Sequence, residues 1–337
     1  MLKKLIIIII LALLGTIATL SYQFEQALHT PIAIEKNTYL KVMPGSSVSS
    51  FAKKLADKKW IPTRFWLRNY GRLFPQKANI KAGTYLITKG STLAQLLVQL
   101  VDGKEHQFSV TFIEGTLFKD ALIILAGHPY IKQTIEDKSI NEIAIKLGID
   151  SVNPEGWLFP DTYAFTADTK DITLLKRAYV NMQAQLNELW QSRAENLPYK
   201  TPYQALIMAS IIEKETSYIA EQPTISSVFV NRLRKKMRLQ TDPTVIYGLG
   251  ERYAGDITRA HLREKTAYNT YKINGLPPTP IAMAGLSALQ ATLNPVKSDY
   301  YYFVSGGDGK HVFSKTLAEH NFAVKRYLKA QRKNKSK

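Results

Sequence analysis

The chain has 337 residues, 45% of them hydrophobic and 21% charged, a balance that supports two or three packed domains and excludes a disordered polymer. It carries 45 Lys and Arg against 27 Asp and Glu, a net charge of +18, so its field draws anionic partners: nucleic acid, an acidic membrane surface or an acidic cell-wall polymer. It has no cysteine, which excludes disulfides, thiolate chemistry and lipid attachment through sulfur.

Residues 1–24 read as a membrane anchor. Lys3 and Lys4 precede an uncharged run from Leu5 to Leu20. Carried on to Phe24, that run makes a helix of about 30 Å, the thickness of a bilayer's hydrocarbon. The two lysines place the N-terminus in the cytoplasm and everything after the span outside it. A cleaved signal peptide is the competing reading, but Ala18-Thr19-Leu20-Ser21-Tyr22 makes a poor cleavage site.

Residues 25–37 read as a linker and 38–104 as a small module. A strand is predicted over 38–43, a turn at Pro44-Gly45, and a helix over 46–58 with Val48, Phe51, Ala52 and Leu55 on one face. A second helix opens at Pro62-Thr63, and a strand follows over 82–87. This β-α-α-β order resembles the LysM glycan-binding module and equally suits a structural spacer. A helix over 91–101 has Ser91 as its N-cap candidate. A strand is predicted over 106–113, and a mainly helical region runs to about Arg193. Within it lies the aromatic turn Glu155-Gly156-Trp157-Leu158-Phe159-Pro160. Ser305-Gly306-Gly307-Asp308-Gly309 reads as a hairpin turn, and residues 331–337 as a frayed basic tail. The fold class is α+β: one transmembrane helix, a small LysM-like module, and a larger mixed α/β domain over 105–330.

The helix predicted from Pro202 carries the chemistry. It is apolar nearly all round from Ala205 to Ile212, so it is a buried helix. Glu213 and Glu215 then appear at its C-terminal end, about 200° apart around the axis. Glu215 continues the face of Met208, Ile211 and Ile212. Glu213 lies above Leu206, Ala209 and Ser210. A carboxyl on the more apolar stripe is desolvated, and the helix C-terminus adds partial negative charge; both raise its pKa. A carboxylic acid protonated near neutrality is what cleavage of a glycosidic bond requires. The alternative is that both glutamates pair with Lys214, Arg232 or Arg234.

Three stretches make the sequence recognisable: Met208–Thr216 (MASIIEKET), Ser227–Leu233 (SVFVNRL) and Met237–Gly248 (MRLQTDPTVIYG). With Ala267–Tyr271, Gly275–Pro278, Tyr301–Val304, His311–Phe313 and His320-Asn321, they closely resemble the endolytic murein transglycosylase (YceG-like) family. The likeness runs through nearly the whole chain. It implies that the second glutamate of Glu-Lys-Glu, Glu215, is the catalytic acid/base. One departure is Ala284-Gly285, where the family usually reads Pro-Gly.

The resemblance implies a lytic transglycosylase. Glu215 protonates the oxygen between N-acetylmuramic acid and N-acetylglucosamine, then acts as base on the muramic C6 hydroxyl, leaving a 1,6-anhydro end. Glu213, Gln240, Thr241, Asp242, Tyr268, Asn269 and Tyr271 are candidate substrate contacts. Thr241 and Asp242 equally suit a helix start, and the tyrosines equally suit structural packing. No metal spacing joins the six histidines, and no cofactor is implied. The expected partners are peptidoglycan strands, the inner membrane and peptidoglycan synthases (penicillin-binding proteins), with the catalytic domain periplasmic. A hydrolase giving reducing ends and a non-catalytic peptidoglycan-binding scaffold are the alternatives. The anchor argues against nucleic acid.

Overall fold

A computed structural model describes residues 1–150 and 153–335. The chain divides into two compact units: Met1–Phe108 with Ala164–Asp168, and Ser109–Tyr163 with Thr169–Lys337. It is a mixed α/β protein with an apolar helix at its N-terminus.

The first unit begins with α1 (Leu2–His29), exposed along its apolar length until Leu28 enters the core of the unit. Strand β1 (Thr38–Val42) is followed by helices α2 (Val48–Asp57) and α3 (Phe65–Leu73). Strand β2 (Gly83–Ile87) then returns antiparallel to β1, with Leu40 opposite Tyr85. The predicted α2 face is the buried one: Val48, Phe51, Ala52 and Leu55 pack with Leu40, Leu67 and Tyr85. Helix α4 (Leu93–Asp102) is capped by Thr92, not by the expected Ser91. Thr92 and Gln95 form a reciprocal capping box, while the Ser91 hydroxyl meets Thr88.

The chain passes between the units three times, in β3 (Phe108–Thr111), in β5 (Thr162–Phe165) and between Asp168 and Thr169. The stretch expected to be mainly helical does hold α5 (Phe118–Ala126), α6 (Ile140–Leu147) and α7 (Asp171–Gln191). It also holds the two-residue strands β4 (Ile131–Lys132) and β6 (Thr169–Lys170), paired in parallel. Strands this short have no period to read, and their partners lie far along the chain.

The second unit is built on α8 (Pro202–Glu215). Pro202 stands in its first turn and Thr201 caps it by accepting the Gln204 N–H. Every residue from Ala205 to Ile212 is buried. Around it pack α7, α9 (Gln222–Arg234) and α12 (Leu286–Leu293), with Met208, Phe229, Leu289 and Leu293 in one continuous core. Helices α10 (Asp242–Leu249) and α11 (Arg259–Arg263) precede α12. The hairpin β7 (Tyr302–Ser305) and β8 (His311–Ser314) closes through the expected glycine turn. Helix α13 (Leu317–Lys335) occupies most of what reads as a frayed tail. Glu319 holds its first turn by accepting the Lys315 N–H. Ser336 and Lys337 lie outside the described residues.

Candidate active site

Burial separates the two glutamates of α8 only by degree, raising the carboxyl of Glu215 further than that of Glu213. Both are half-buried, and burial raises the pKa of each. Their partners separate them. Glu213 accepts the backbone N–H of Gly285 at 3.0 Å, at the N-cap of α12. Glu215 accepts the hydroxyl of Thr241. Among the described residues no cation lies within ion-pairing distance of either carboxylate. Lys214 bonds the Gly115 carbonyl, Arg234 bonds that of Asn196, and Arg232 bonds those of Tyr301 and Leu239. The pairing alternative is therefore not what the fold builds.

Burial pushes the Glu215 carboxyl up to about 7. The Thr241 hydroxyl and the charges of His311 and Arg232 pull it down, and the Asp242 carboxylate pushes it up. The carboxyl is therefore poised to give and to take a proton near neutrality.

Thr241 owes its position to a small buried network. Its N–H donates to the Thr270 hydroxyl at 3.0 Å, and that hydroxyl lies 2.9 Å from the hydroxyl of Thr244. All three threonines are buried. Thr241 stands at the N-cap of α10, as the sequence allows, yet its side chain makes no cap bond. Its hydroxyl is turned to Glu215 instead. Gln240 precedes it with a left-handed backbone, φ 51°. This is a costly conformation for a residue with a Cβ and one found at functional sites. Gln240 is exposed, with its N–H donated to the Thr270 carbonyl at 3.2 Å.

Asp242 accepts the Tyr271 hydroxyl at 2.7 Å. Burial, with Asp242 and Glu215 nearby, keeps that phenol protonated well above its ordinary range. Tyr268 sets its ring against Tyr247, centroids 4.8 Å apart, and its hydroxyl lies 2.8 Å from that of Thr279. Asn269 differs from the other candidates. It is buried, its amide N–H groups reach the carbonyls of His261, Leu262 and Glu264, and its oxygen accepts the Tyr271 N–H. Its polar atoms are spent on ending α11 and placing Tyr271, so it offers nothing to a ligand. Glu213 likewise uses its carboxylate to seat α12. Thr241 and Glu215 meet directly, Asp242 and Tyr271 stand beside them, and Tyr268 lines an adjoining cavity of about 840 Å³ with Phe118, Glu155, Lys214 and Tyr247.

Two groups close to Glu215 escape a reading for acids. His311 on β8 pairs with Glu221 at 2.8 Å and donates its backbone N–H to the same carboxylate, so the hairpin is tied to the turn between α8 and α9. Arg232 is buried in α9, over the Tyr302 ring. Its signal is present in the sequence: Arg232 continues the buried stripe Ile225, Val228, Phe229, as Glu215 continues that of α8. Glu155, in the aromatic turn, is also buried, and burial pushes its carboxyl up to about 7 while the N–H of Phe118 holds it in place.

Residues 40–326 match the profile of the YceG-like family. The chain belongs to the YceG-like family. A Bacillus subtilis relative named endolytic murein transglycosylase is 32% identical over 330 residues, covering 92% of this chain and 91% of that protein. A relative of the same name from Streptococcus pneumoniae is 25% identical, covering 96% of this chain and 65% of that longer protein. The crystal structure of a YceG-like protein from Listeria monocytogenes aligns with a TM-score of 0.54 at 32% identity, over 86% of this chain and 99% of that one. Within this YceG-like chain the Ala284-Gly285 pair sits where Glu213 seats α12, and Ala284 is wholly buried.

Proposed function

We propose that this protein is an endolytic lytic transglycosylase that cleaves peptidoglycan strands, with Glu215 as its acid/base. One observation carries the reading. In a family whose relatives are named endolytic murein transglycosylases, a half-buried carboxyl with a pKa near 7 stands at the end of a core helix, and among the described residues no cation is paired to it. Glu215 in its protonated form donates to the glycosidic oxygen between N-acetylmuramic acid and N-acetylglucosamine. The resulting carboxylate, held by the Thr241 hydroxyl, takes the proton from the muramic C6 hydroxyl as that oxygen closes on C1. A 1,6-anhydro end forms and no water is consumed. One carboxyl suffices because the sugar supplies the nucleophile; Glu213, committed to Gly285, is not a second carboxylate across the bond.

Gln240, Asp242, Tyr268 and Tyr271 are the proposed glycan contacts, with Thr241 acting on Glu215. Glu213 and Asn269 are assigned to holding the walls of the site. Helix α1 is the proposed single-pass anchor in the inner membrane, N-terminus cytoplasmic, with the remainder periplasmic beside the peptidoglycan synthases. There it would end the growth of nascent strands. The strand–helix–helix–strand order of β1 to β2 supports a LysM-like origin for the small unit.

The test is a digest of purified peptidoglycan by the full chain in detergent, compared with Glu215→Gln, the products read by mass spectrometry. Anhydro-muramic ends from the wild type alone are expected. Reducing ends would make it a hydrolase, and equal products from both proteins would mean a different acid.

A further inference from the structure

We propose that the α3 face of the small unit lies in the headgroup layer of the bilayer that α1 crosses, and binds its anionic phospholipids there. The inference rests on α1 being a membrane span.

The geometry begins with the length of α1. It is one unbroken helix of 28 residues, and its end is part of the small unit: Leu28 is buried in the core of that unit. Counted from Leu5, after the two lysines, about 30 Å of hydrocarbon is used up near Phe24. Phe24 therefore stands at the membrane–water interface. Its ring packs on two rings of α3: Tyr70, stacked at 6.1 Å, and Trp66, edge-on at 6.2 Å. These contacts bring α3 to the same depth as Phe24. Tryptophan and tyrosine favour this layer, where an apolar ring and a polar tip are both satisfied.

The rest of the helix surface suits that position. Leu73 follows Trp66 and Tyr70 on their face and is 69% exposed; Phe65 is 53% exposed and Phe74 41%. This is an apolar cluster with no covering element in its own unit, continuous with the membrane helix. Its rim is cationic. Between Asp57 and Asp102 the sequence has no acidic residue and eight Lys or Arg. Four of them, Arg64, Arg68, Arg72 and Lys77, stand on or beside α3, and Lys77 lies over the Phe74 ring. Apolar side chains ringed by cations that have no carboxylate partner among the described residues fit a lipid surface of opposite charge, where each cation adds to the attraction. A glycan strand offers neither the acyl depth for Leu73 and Phe74 nor a reason for the cluster to adjoin the span.

The absence of cysteine makes the test direct. A nitroxide at Leu73→Cys is placed in the full chain, reconstituted in nanodiscs of phosphatidylcholine with or without phosphatidylglycerol. Its accessibility to oxygen is compared with that to a polar nickel complex. A label at Leu14→Cys reports on the span. With Leu14 deep, the oxygen-to-nickel ratio at Leu73 should be several-fold that of a freely hydrated label. It should fall when phosphatidylglycerol is left out, and again with Arg68→Glu and Arg72→Glu together. A deep Leu14 with a fully hydrated Leu73 overturns the inference and leaves the anchor standing. A hydrated Leu14 removes the anchor and the inference with it. Protection of Leu73 that needs added glycan strands, and not lipid, assigns the face to the cell-wall polymer instead.

Discussion

Replacing Glu215 with glutamine should make the protein more stable at alkaline pH while abolishing its activity. Glu215 ionises at about 7 in the fold, against 4.5 for the free side chain, and burial is the main cause. A carboxyl whose folded pKa is raised gives stability that is fully present below the unfolded value and lost as pH rises through the folded one. The rise from 4.5 to about 7 corresponds to about 3 kcal/mol at roughly 1.4 kcal/mol per pH unit. Partial exposure to the cleft brings this nearer 2 kcal/mol. Glutamine has nearly the same shape, keeps an acceptor for Thr241 and never ionises. Wild type and variant should therefore unfold at similar temperatures near pH 4.5. At pH 8.5 the variant should be higher by about 4–8 °C, taking roughly 2–4 °C per kcal/mol for a domain of this size. Thermal melts of the two proteins across that range measure the difference. Melting temperatures that run parallel at all pH values would falsify the claim that Glu215 is an unpaired, desolvated carboxyl.

The hydroxyl of Thr241 favours the ionised form of Glu215, so Thr241→Val should move the alkaline limb of the pH–rate profile upward. A hydrogen bond to a charged group, about 1.5–3 kcal/mol, corresponds to about one pH unit or more; an unmoved limb would show that the contact does not act on the acid. Glu155→Gln should stabilise the protein to urea by about 3 kcal/mol at pH 8.5 and by little at pH 4.5, since burial holds this carboxyl up at about 7 as well. Gly156→Ala should cost well over 1 kcal/mol: its backbone is left-handed, φ 78°, and a new Cβ would stand 2.3 Å from the Pro280 Cβ. Unchanged urea unfolding would mean that this turn relaxes freely. Asn269→Ala should lose about 1–3 kcal/mol, because it leaves buried carbonyls at the end of α11 without their donor. Asn269→Asp should fare little better, as a carboxylate cannot donate to them.

Much of this protein is legible in its sequence because helix period and composition are local. The buried face of α2 follows from which residues recur every three or four positions, the N-terminal span from an unbroken uncharged run after Lys3-Lys4, and the start of α8 from Pro202 in its first turn. The choice of Glu215 over Glu213 comes from the resemblance of its motif to the family. The helical-face argument for it is weaker, since α8 is buried all round and the pKa of Glu213 is raised too. What distinguishes the two glutamates lies far along the chain. Glu213 is taken up by a backbone N–H 72 residues away, and Glu215 meets a hydroxyl 26 residues away. In the same way Thr241 looks like an ordinary cap until Glu215 draws its hydroxyl off, and Asn269 looks like a sugar contact until three carbonyls claim its amide. Periodicity records which side chains leave water. Which polar partner each then finds is set by the packing of distant segments, and that the tertiary structure alone decides.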